Sequence, residues 1–219
     1  TSLALGDVDS DGDLDLYVAN FGELALLRDG GSYNLRQVGT RWVVSGLHAE
    51  RLKIVDGNLI EFGETDAFYL NDGKGVFKRV PWSDGRFMQP NGRPIAEPLD
   101  FGLCVQIRDI NGDGFADIYV CNDFQTPDRF WLNDGTGRFR EAGSVAVRSV
   151  AYASMGADFA DIDRDGHTDF FVTEMLSRDA ATRLTKISPN NPRTPLPGDL
   201  ATRLQVARNT LFWNRGDGT

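Results

Sequence analysis

Three observations predict an all-β fold for this 219-residue chain. Short runs of β-branched and aromatic residues recur along the sequence, at residues 14–18, 117–121 and 169–173. Each run overlaps the end of an acidic loop of the form D-x-[DN]-x-D-G-x-x-D. The 24 glycines are spread along the chain, which is typical of many tight turns between short strands. The sequence therefore predicts short antiparallel strands joined by glycine-rich turns.

The three acidic loops predict bound cations. Carboxylates a few ångströms apart repel one another, so crowding several of them into one loop is unfavourable unless a hard cation lies among them. The spacing of these residues suits calcium. Side-chain oxygens at positions one, three and five turn inward, and the glycine at position six permits a sharp turn. Position seven contributes its backbone carbonyl, and the aspartate at position nine completes the ligand set. We expect about three Ca²⁺ ions, held by Asp7, Asp9, Asp11, Asp13 and Asp15; by Asp109, Asn111, Asp113, Phe115 and Asp117; and by Asp161, Asp163, Asp165, His167 and Asp169.

An EF-hand shares the first six positions of this pattern but requires a glutamate at position twelve and flanking helices. Position twelve is Val18, Val120 or Val172 here. The flanking residues favour strands, so each loop is expected to join strand to strand.

A second recurring element is a hairpin turn of the form N-D-G-x-G-x-F, at residues 71–77 and 133–139, with a third copy beginning at Asn214. Each acidic loop thus pairs with a later turn. One repeat contains a strand, the acidic loop, a second strand, a connection, a third strand, the N-D-G turn and a fourth strand. Four antiparallel strands per repeat are the pattern of a β-propeller blade.

The repeats divide the chain, as a single partial propeller domain, into blades at about 1–80, 99–145 and 150–219. Asp7 lies 64 residues before Asn71, whereas Asp109 lies 24 residues before Asn133. Residues 22–60 are therefore read as an insertion, with a hairpin at 54–60. The alternative makes residues 37–80 a blade without metal and gives four blades instead of three. Residues 81–98 form a linker with turn signals at 84–85 and 91–92.

The third blade contains a different insertion. Residues 175–184 have helical composition, residues 189–197 contain four prolines, and residues 199–206 can form a second short helix capped by Asp199. Together with residues 22–60, the segment at 177–208 is the expected place for contacts with a partner.

The two cysteines, Cys104 and Cys121, lie on the strands that flank the second acidic loop. If Asp109 opposes Asp117, Cys104 lies opposite Asn122 and the sulfurs are on opposite faces of the sheet. A one-residue shift of register would bring the sulfurs together, so both a disulfide and buried free thiols remain open.

The net charge and the motifs argue against some classes of function. With 23 basic and 32 acidic residues the net charge is −9, which three Ca²⁺ ions would change to about −3. The sequence shows no stripe of basic residues that would suit binding to nucleic acid. No run of apolar residues is long enough to predict a membrane span. No catalytic motif is visible, so no enzyme is predicted, and His48 and His167 are expected to be solvated.

The strands before the loops (Phe101-Gly102-Leu103 and residues 155–159), the acidic loops and the N-D-G turns resemble FG-GAP repeats, also described as VCBS repeats, which form the integrin α-subunit propeller. Residues 119–124, 175–178 and 209–214 are similar to bacterial proteins related to cartilage acidic protein, which often have an ASPIC/UnbV domain. The resemblance implies a calcium-binding propeller of about seven or eight blades. Three or four blades cannot close such a ring, so we expect a longer polypeptide, with the remaining blades of the same or another chain covering the open edges.

These features together predict a calcium-stabilised binding or scaffolding module of the adhesion type, which contacts protein or glycan. We expect it to be extracellular, periplasmic or at the cell surface, because loops of this kind bind Ca²⁺ where its concentration is high. The alternative is the propeller segment of a secreted polysaccharide-active enzyme, a lyase or a hydrolase.

Overall fold

Three antiparallel sheets, each containing one acidic loop, organise the structure. The computed structural model describes residues 1–22, 26–27, 32–55, 57–123, 126–143, 145–175, 177–179, 181–182 and 204–217. In chain order the strands are β1 (Ser2–Gly6), β2 (Asp15–Ala19), β3 (Tyr33–Val38), β4 (Arg41–Gly46), β5 (Leu52–Val55), β6 (Asn58–Glu61), β7 (Ala67–Asn71), β8 (Phe77–Val80), β9 (Phe87–Met88), β10 (Gly102–Arg108), β11 (Asp117–Asn122), β12 (Arg129–Asn133), β13 (Phe139–Glu141), β14 (Ser149–Ala151), β15 (Ser154–Ala160), β16 (Asp169–Glu174), β17 (Leu204–Val206) and β18 (Thr210–Phe212). Two 3₁₀ turns, Ala49–Arg51 and Trp82–Asp84, complete the named elements. The all-β prediction is confirmed.

The first sheet has the strand order β1-β2-β7-β8, with every neighbouring pair antiparallel. Because β2 pairs directly with β7, the intervening chain lies outside this sheet, as the insertion reading requires. The described residues of this intervening chain include two separate hairpins, β3–β4 and β5–β6. The hairpin expected at residues 54–60 is confirmed, with Val55 opposite Asn58. Arg51, which is buried, anchors it through an ion pair to Glu61 at 3.2 Å.

The second sheet repeats this arrangement as β10-β11-β12-β13 and adds β9, from the linker, parallel to β13. Both predicted linker turns are confirmed, since Gly85 and Gly92 adopt φ of 83° and 79°. The N-D-G turns join β7 to β8 and β12 to β13 as predicted. The linker therefore both connects the first two sheets and extends the second.

The third sheet has the order β15-β16-β18, and β14 pairs with β17 in parallel beside it. The helix predicted for residues 199–206 is wrong at its end, because residues 204–206 form β17. Pairing with the backbone of β14 decides for a strand there, and Tyr152 N–H donates to Val206 O at 2.9 Å. Residues 199–203 and the proline-rich 189–197 lie outside the described residues. In the other predicted helix, at 175–184, residues 181–182 are helical, residues 175 and 177–179 are not, and residues 176, 180, 183 and 184 lie outside the described part of the chain.

Two buried clusters hold the three sheets together. The first joins Tyr17 and Phe68 of the first sheet to Ile118 and Trp131 of the second. The second cluster joins Tyr119 to Phe159 and Phe170 of the third sheet, across the opposite face. Successive residues of a strand point to opposite faces, so β11, whose six residues are all buried, contributes to both clusters. The middle sheet is therefore covered by a neighbouring sheet on each side.

The register of the second sheet differs from the one predicted. Arg108, and not Asp109, lies opposite Asp117, and a β-bulge separates the pairs formed by Gly102 and Cys104. Cys104 therefore lies opposite Cys121, which is the one-residue shift of register that the sequence left open, and the pairing of Cys104 with Asn122 does not occur. The reason is that Asp109 belongs to the loop, where it binds backbone N–H groups, and does not continue the ladder.

Among the residues described, none of the helices has the length and apolar character that crossing a membrane requires.

Candidate metal centres

The three acidic loops join the first and second strands of their sheets, as predicted, and share one backbone geometry. The glycine at position six has φ of 92° in Gly12, 90° in Gly114 and 90° in Gly166, a region that favours glycine. In each loop its N–H donates to the carboxylate at position one, at 3.1 Å for Asp7, 2.9 Å for Asp109 and 3.0 Å for Asp161. The turn that the sequence predicted is therefore closed by the first aspartate.

The aspartate at position nine connects each loop to the N-D-G turn of the same sheet. Asp117 is fully buried; one oxygen accepts Ile110 N–H at 3.1 Å and the other accepts Asn133 N–H at 2.9 Å. The first loop repeats this arrangement with Asp15, Val8 and Asn71, and the third with Asp169, Ile162 and Asn214. Position nine thus has a structural role that spacing alone did not reveal: it ties the two recurring motifs together.

Burial has an electrostatic cost at this position. Desolvation raises the pKa of Asp117 to about 7, against the opposing hydrogen bonds from Asn133 and Ile110. Desolvation likewise raises the pKa of Asp15. A nearby cation would favour the charged carboxylate in both cases, because opposite charges attract more strongly where water is excluded.

Two of the loops bring three carboxylates together. One oxygen from each of Asp7, Asp9 and Asp15 lies within 4.8 Å of the others, and the same holds for Asp161, Asp163 and Asp169. The structure therefore gathers positions one, three and nine of the predicted ligand sets in these two loops.

The first loop also leaves oxygens without partners among the described residues. Oδ1 of Asp7 and Oδ1 of Asp9 are buried and accept no hydrogen bond there. Desolvation raises the pKa of Asp9, and the charges of Asp11 and Asp7 raise it further. Buried anionic oxygens without donors are the environment that a hard cation satisfies, so the residues present fit Ca²⁺.

The second loop differs from the other two at position three, which is Asn111. Both oxygens of Asp109 accept backbone N–H groups, from Gly112 at 2.8 Å and Gly114 at 2.9 Å, as both oxygens of Asp161 do in the third loop. The side-chain amide of Asn111 donates to Asp113 at 2.9 Å. Its neutral amide at position three also lowers the negative charge of the loop, which weakens the expected attraction for a cation relative to the other two loops.

Positions five and seven have local roles in the structure. Carboxylates at position five accept the N–H of position seven at 2.9 Å in all three loops, in Asp11, Asp113 and Asp165. The side chains at position seven, Asp13, Phe115 and His167, lie against the glycine of the N-D-G turn, where a Cβ atom would overlap with them. These three side chains extend over the turn. The backbone carbonyl therefore remains the group through which position seven is predicted to bind Ca²⁺.

Sequence reasoning missed a buried tyrosine–aspartate pair in two of the sheets. Tyr17 O–H donates to Asp66 at 2.8 Å, and Tyr119 O–H donates to Asp128 at 2.7 Å. Burial raises the pKa of Asp66 to about 7 and, with the adjacent Asp66 charge, raises the pKa of Tyr17 well above its usual range. The signal was available: an aspartate stands five residues before the asparagine of the N-D-G turn in both repeats.

The third sheet has Phe171 and Asn209 at the equivalent positions of the pair. Here the oxygen of Asn209 accepts Glu174 N–H at 2.8 Å. Phe171 has no hydroxyl group to donate, so the neutral side-chain oxygen of Asn209 is enough to accept the backbone N–H. Both residues of the pair therefore differ together in the third sheet.

Comparison with known families shows that residues 109–172 match the model of an FG-GAP-like repeat. The match begins at the first aspartate of the second loop and ends in β16, so it spans the second and third acidic loops and the turn between them. An FG-GAP-like repeat is therefore present in this chain, and its match covers parts of the second and third sheets. A comparison with curated proteins gave no match.

Proposed function

We propose that this chain is part of a calcium-stabilised β-propeller that acts as a binding or scaffolding module outside the cytoplasm, in the periplasm, at the cell surface or in the extracellular space. The observation that carries the proposal is the grouping of the position-one, position-three and position-nine carboxylates in the first and third loops. The FG-GAP-like repeat at residues 109–172 supports a propeller-type module. Extracellular sites of this class bind calcium with Kd of roughly 10⁻⁴ to 10⁻³ M, which suits those compartments.

In this proposal calcium has a structural role. Asp7, Asp9 and Asp15 hold one ion, Asp161, Asp163 and Asp169 hold another, and the second loop holds a third more weakly. Each ion offsets the repulsion among carboxylates that the fold brings together. A site whose Kd lies tenfold below the ambient concentration stabilises the folded state by about 1.4 kcal/mol, so three sites contribute roughly 4 kcal/mol.

Calorimetric titration with CaCl₂, paired with thermal unfolding in calcium and in EDTA, tests this role. We expect close to three ions per chain and a clear fall in Tm on chelation. The variants Asp9→Asn and Asp163→Asn give the first and third loops the residue that the second loop has at position three, so each should weaken the binding of one ion. Glu97→Gln, an exposed change of equal charge outside the loops, should leave the binding of all three ions unchanged. An unchanged melting curve in EDTA would overturn the structural role of calcium.

The outer faces of the first and third sheets support the propeller proposal. Ile162 is 56% exposed, whereas its equivalents Val8 and Ile110 in the preceding repeats are 1% and 3% exposed. On the other end, Leu3 is 64% exposed and its equivalent Val105 only 3%. Since each equivalent is covered by a neighbouring sheet, we propose that further sheets of the same kind cover both ends.

Sedimentation velocity over a range of protein concentrations tests the end faces. We expect self-association of this chain, because each end presents the surface that the other is built to cover. Ile162→Lys and Leu3→Lys should each weaken association with little change in the fold. A monomer at all concentrations would contradict the idea that the two ends are complementary to each other.

The hairpin β3–β4 is the element that we propose contacts a protein or glycan partner. Leu35, Val38, Trp42 and Val43 are 44–53% exposed, although a two-stranded hairpin alone is only marginally stable in water. Residues 33–46 contain two arginines and no acidic residue, within a chain of net charge −9. An apolar and basic hairpin on an acidic protein is suited to an acidic partner.

We propose no catalytic activity for the module itself. Screening the chain on a glycan array, together with turnover assays on the same polysaccharides, separates the two classes of function: binding without turnover supports the scaffold, and turnover that a single substitution abolishes would support the polysaccharide-active enzyme.

A further inference from the structure

The two thiols of the chain face each other across neighbouring strands. The pairing of Arg108 with Asp117, continued without a shift of register, places Cys104 directly opposite Cys121. Residues directly opposite in an antiparallel pair have Cα atoms about 4.5 to 5.5 Å apart. Disulfides span Cα separations of about 4.4 to 6.8 Å, so the backbone is already within range of a bond.

The repeat does not by itself require cysteines at this position. The third sheet has the same bulge, and there Gly156 lies opposite Thr173. The first sheet pairs Ser2 with Ala19 at the equivalent position. The fold therefore accepts small residues of several kinds, and the two thiols belong to the second sheet alone.

The surroundings of the two sulfurs are unequal. Cys121 is fully buried in the cluster between the second and third sheets, and Cys104 is half-buried at the edge of that cluster. A hydrogen bond from Cys121 lowers the pKa of Cys104 to about 6, despite partial burial, while the same contact and burial raise the pKa of Cys121. The accessible sulfur is thus the one that loses its proton first.

We propose that Cys104 and Cys121 are a redox-active pair that oxidises to a cross-strand disulfide in exchange with a small disulfide such as oxidised glutathione. The Cys104 thiolate attacks one glutathione sulfur, which forms a mixed disulfide and releases one glutathione thiolate. Cys121 then passes its proton to that thiolate and attacks Cys104 Sγ, which releases the second glutathione. Two protein thiols and one oxidised glutathione become one protein disulfide and two reduced glutathiones, with two electrons passing from the protein to glutathione.

The bond would enclose the second acidic loop, residues 109–117, within the segment between the cysteines. A closed segment of this length restricts the unfolded chain, and the expected rise in Tm on oxidation is roughly 6 to 12 °C. Oxidation would thereby reinforce the loop that, among the three, is least suited to calcium.

Equilibration of the native chain in glutathione buffers of graded ratio, followed by alkylation and intact-mass measurement, tests the pair. We expect both thiols to become protected together, with the loss of two hydrogens and no bound glutathione. Cys121→Ser should instead accumulate one glutathione per chain, and Cys104→Ser should stay fully reduced because Cys121 is buried.

If a variant fails to fold, the alkylation measurement on the native chain is enough to test the proposal. Two thiols that both remain open to alkylation in the most oxidising buffer, or disulfides found only between chains, would overturn it. A Tm that is the same in oxidised and reduced protein would overturn the claim that the bond reinforces the second loop.

Discussion

Asn133 and Asn71 occupy the same place in two N-D-G turns, yet their contacts differ. Asn133 Nδ2 donates to Val8 O in the preceding acidic loop at 2.7 Å and to Ala116 O at 2.9 Å, and its Oδ1 accepts Gly135 N–H at 3.0 Å. Asn71 Nδ2 donates only to Leu14 O, in an exposed bond of 3.2 Å, and its Oδ1 has no partner among the described residues. Asn133 alone of the two bridges neighbouring sheets.

Replacing each asparagine by alanine should therefore have unequal effects. A hydrogen bond contributes about 0.5 to 1.5 kcal/mol net, so Asn133→Ala should lower the free energy of unfolding by roughly 3 kcal/mol, and Asn71→Ala by about 1 kcal/mol or less. Both variants keep the backbone N–H that binds the aspartate at position nine. The expected difference of about 2 kcal/mol corresponds to roughly 4 to 8 °C in Tm.

Urea unfolding followed by circular dichroism, in saturating calcium, measures the difference. The slope m should stay the same in both variants, because the surface exposed on unfolding does not change. If Asn71→Ala proves as destabilising as Asn133→Ala, the bridge between sheets contributes nothing and the reasoning fails.

Three further outcomes are expected. Arg129→Met should lower the free energy of unfolding by about 3 to 5 kcal/mol in urea titrations. The reason is that the buried carboxylates of Asp100 and Glu141, which lie 2.7 and 3.2 Å from the guanidinium nitrogens of Arg129, lose this partner. A loss below about 1 kcal/mol would contradict this. Burial raises the pKa of Asp66 to about 7, so the folded chain keeps a proton that the unfolded chain loses near pH 4, and the free energy of unfolding should fall as pH rises from 4 to 7. In EDTA, Asp66→Asn should flatten this part of the plot of unfolding free energy against pH. A plot for the variant that runs parallel to that of the native chain would contradict this role of Asp66. Trp42→Ala should change Tm by less than 2 °C yet weaken partner capture measured by surface plasmon resonance, since its side chain is 53% exposed; undiminished capture would exclude the hairpin as the contact.

Local motifs were predictable because their causes are local. The turn after Asp109 depends on a glycine that tolerates positive φ and on a carboxylate within reach of its N–H, and both are visible in the sequence. Gly92 in the linker also adopts a positive φ, and its N–H donates to the backbone carbonyl of Gln89 at 2.9 Å. The strand at residues 204–206 was missed because its run of residues suits a helix equally, and only pairing with β14 decides between them.

The sequence by itself determined the all-β class, the acidic loops and the N-D-G turns, since a repeated pattern of turn residues and alternating side chains defines short strands. The tertiary structure alone decided which residues meet across strands and sheets. Pairing of Arg108, and not Asp109, with Asp117 places Cys104 opposite Cys121, and Asn133 reaches Val8 across 125 residues of chain. Such contacts depend on how strands pair and how sheets pack, which local propensity does not encode.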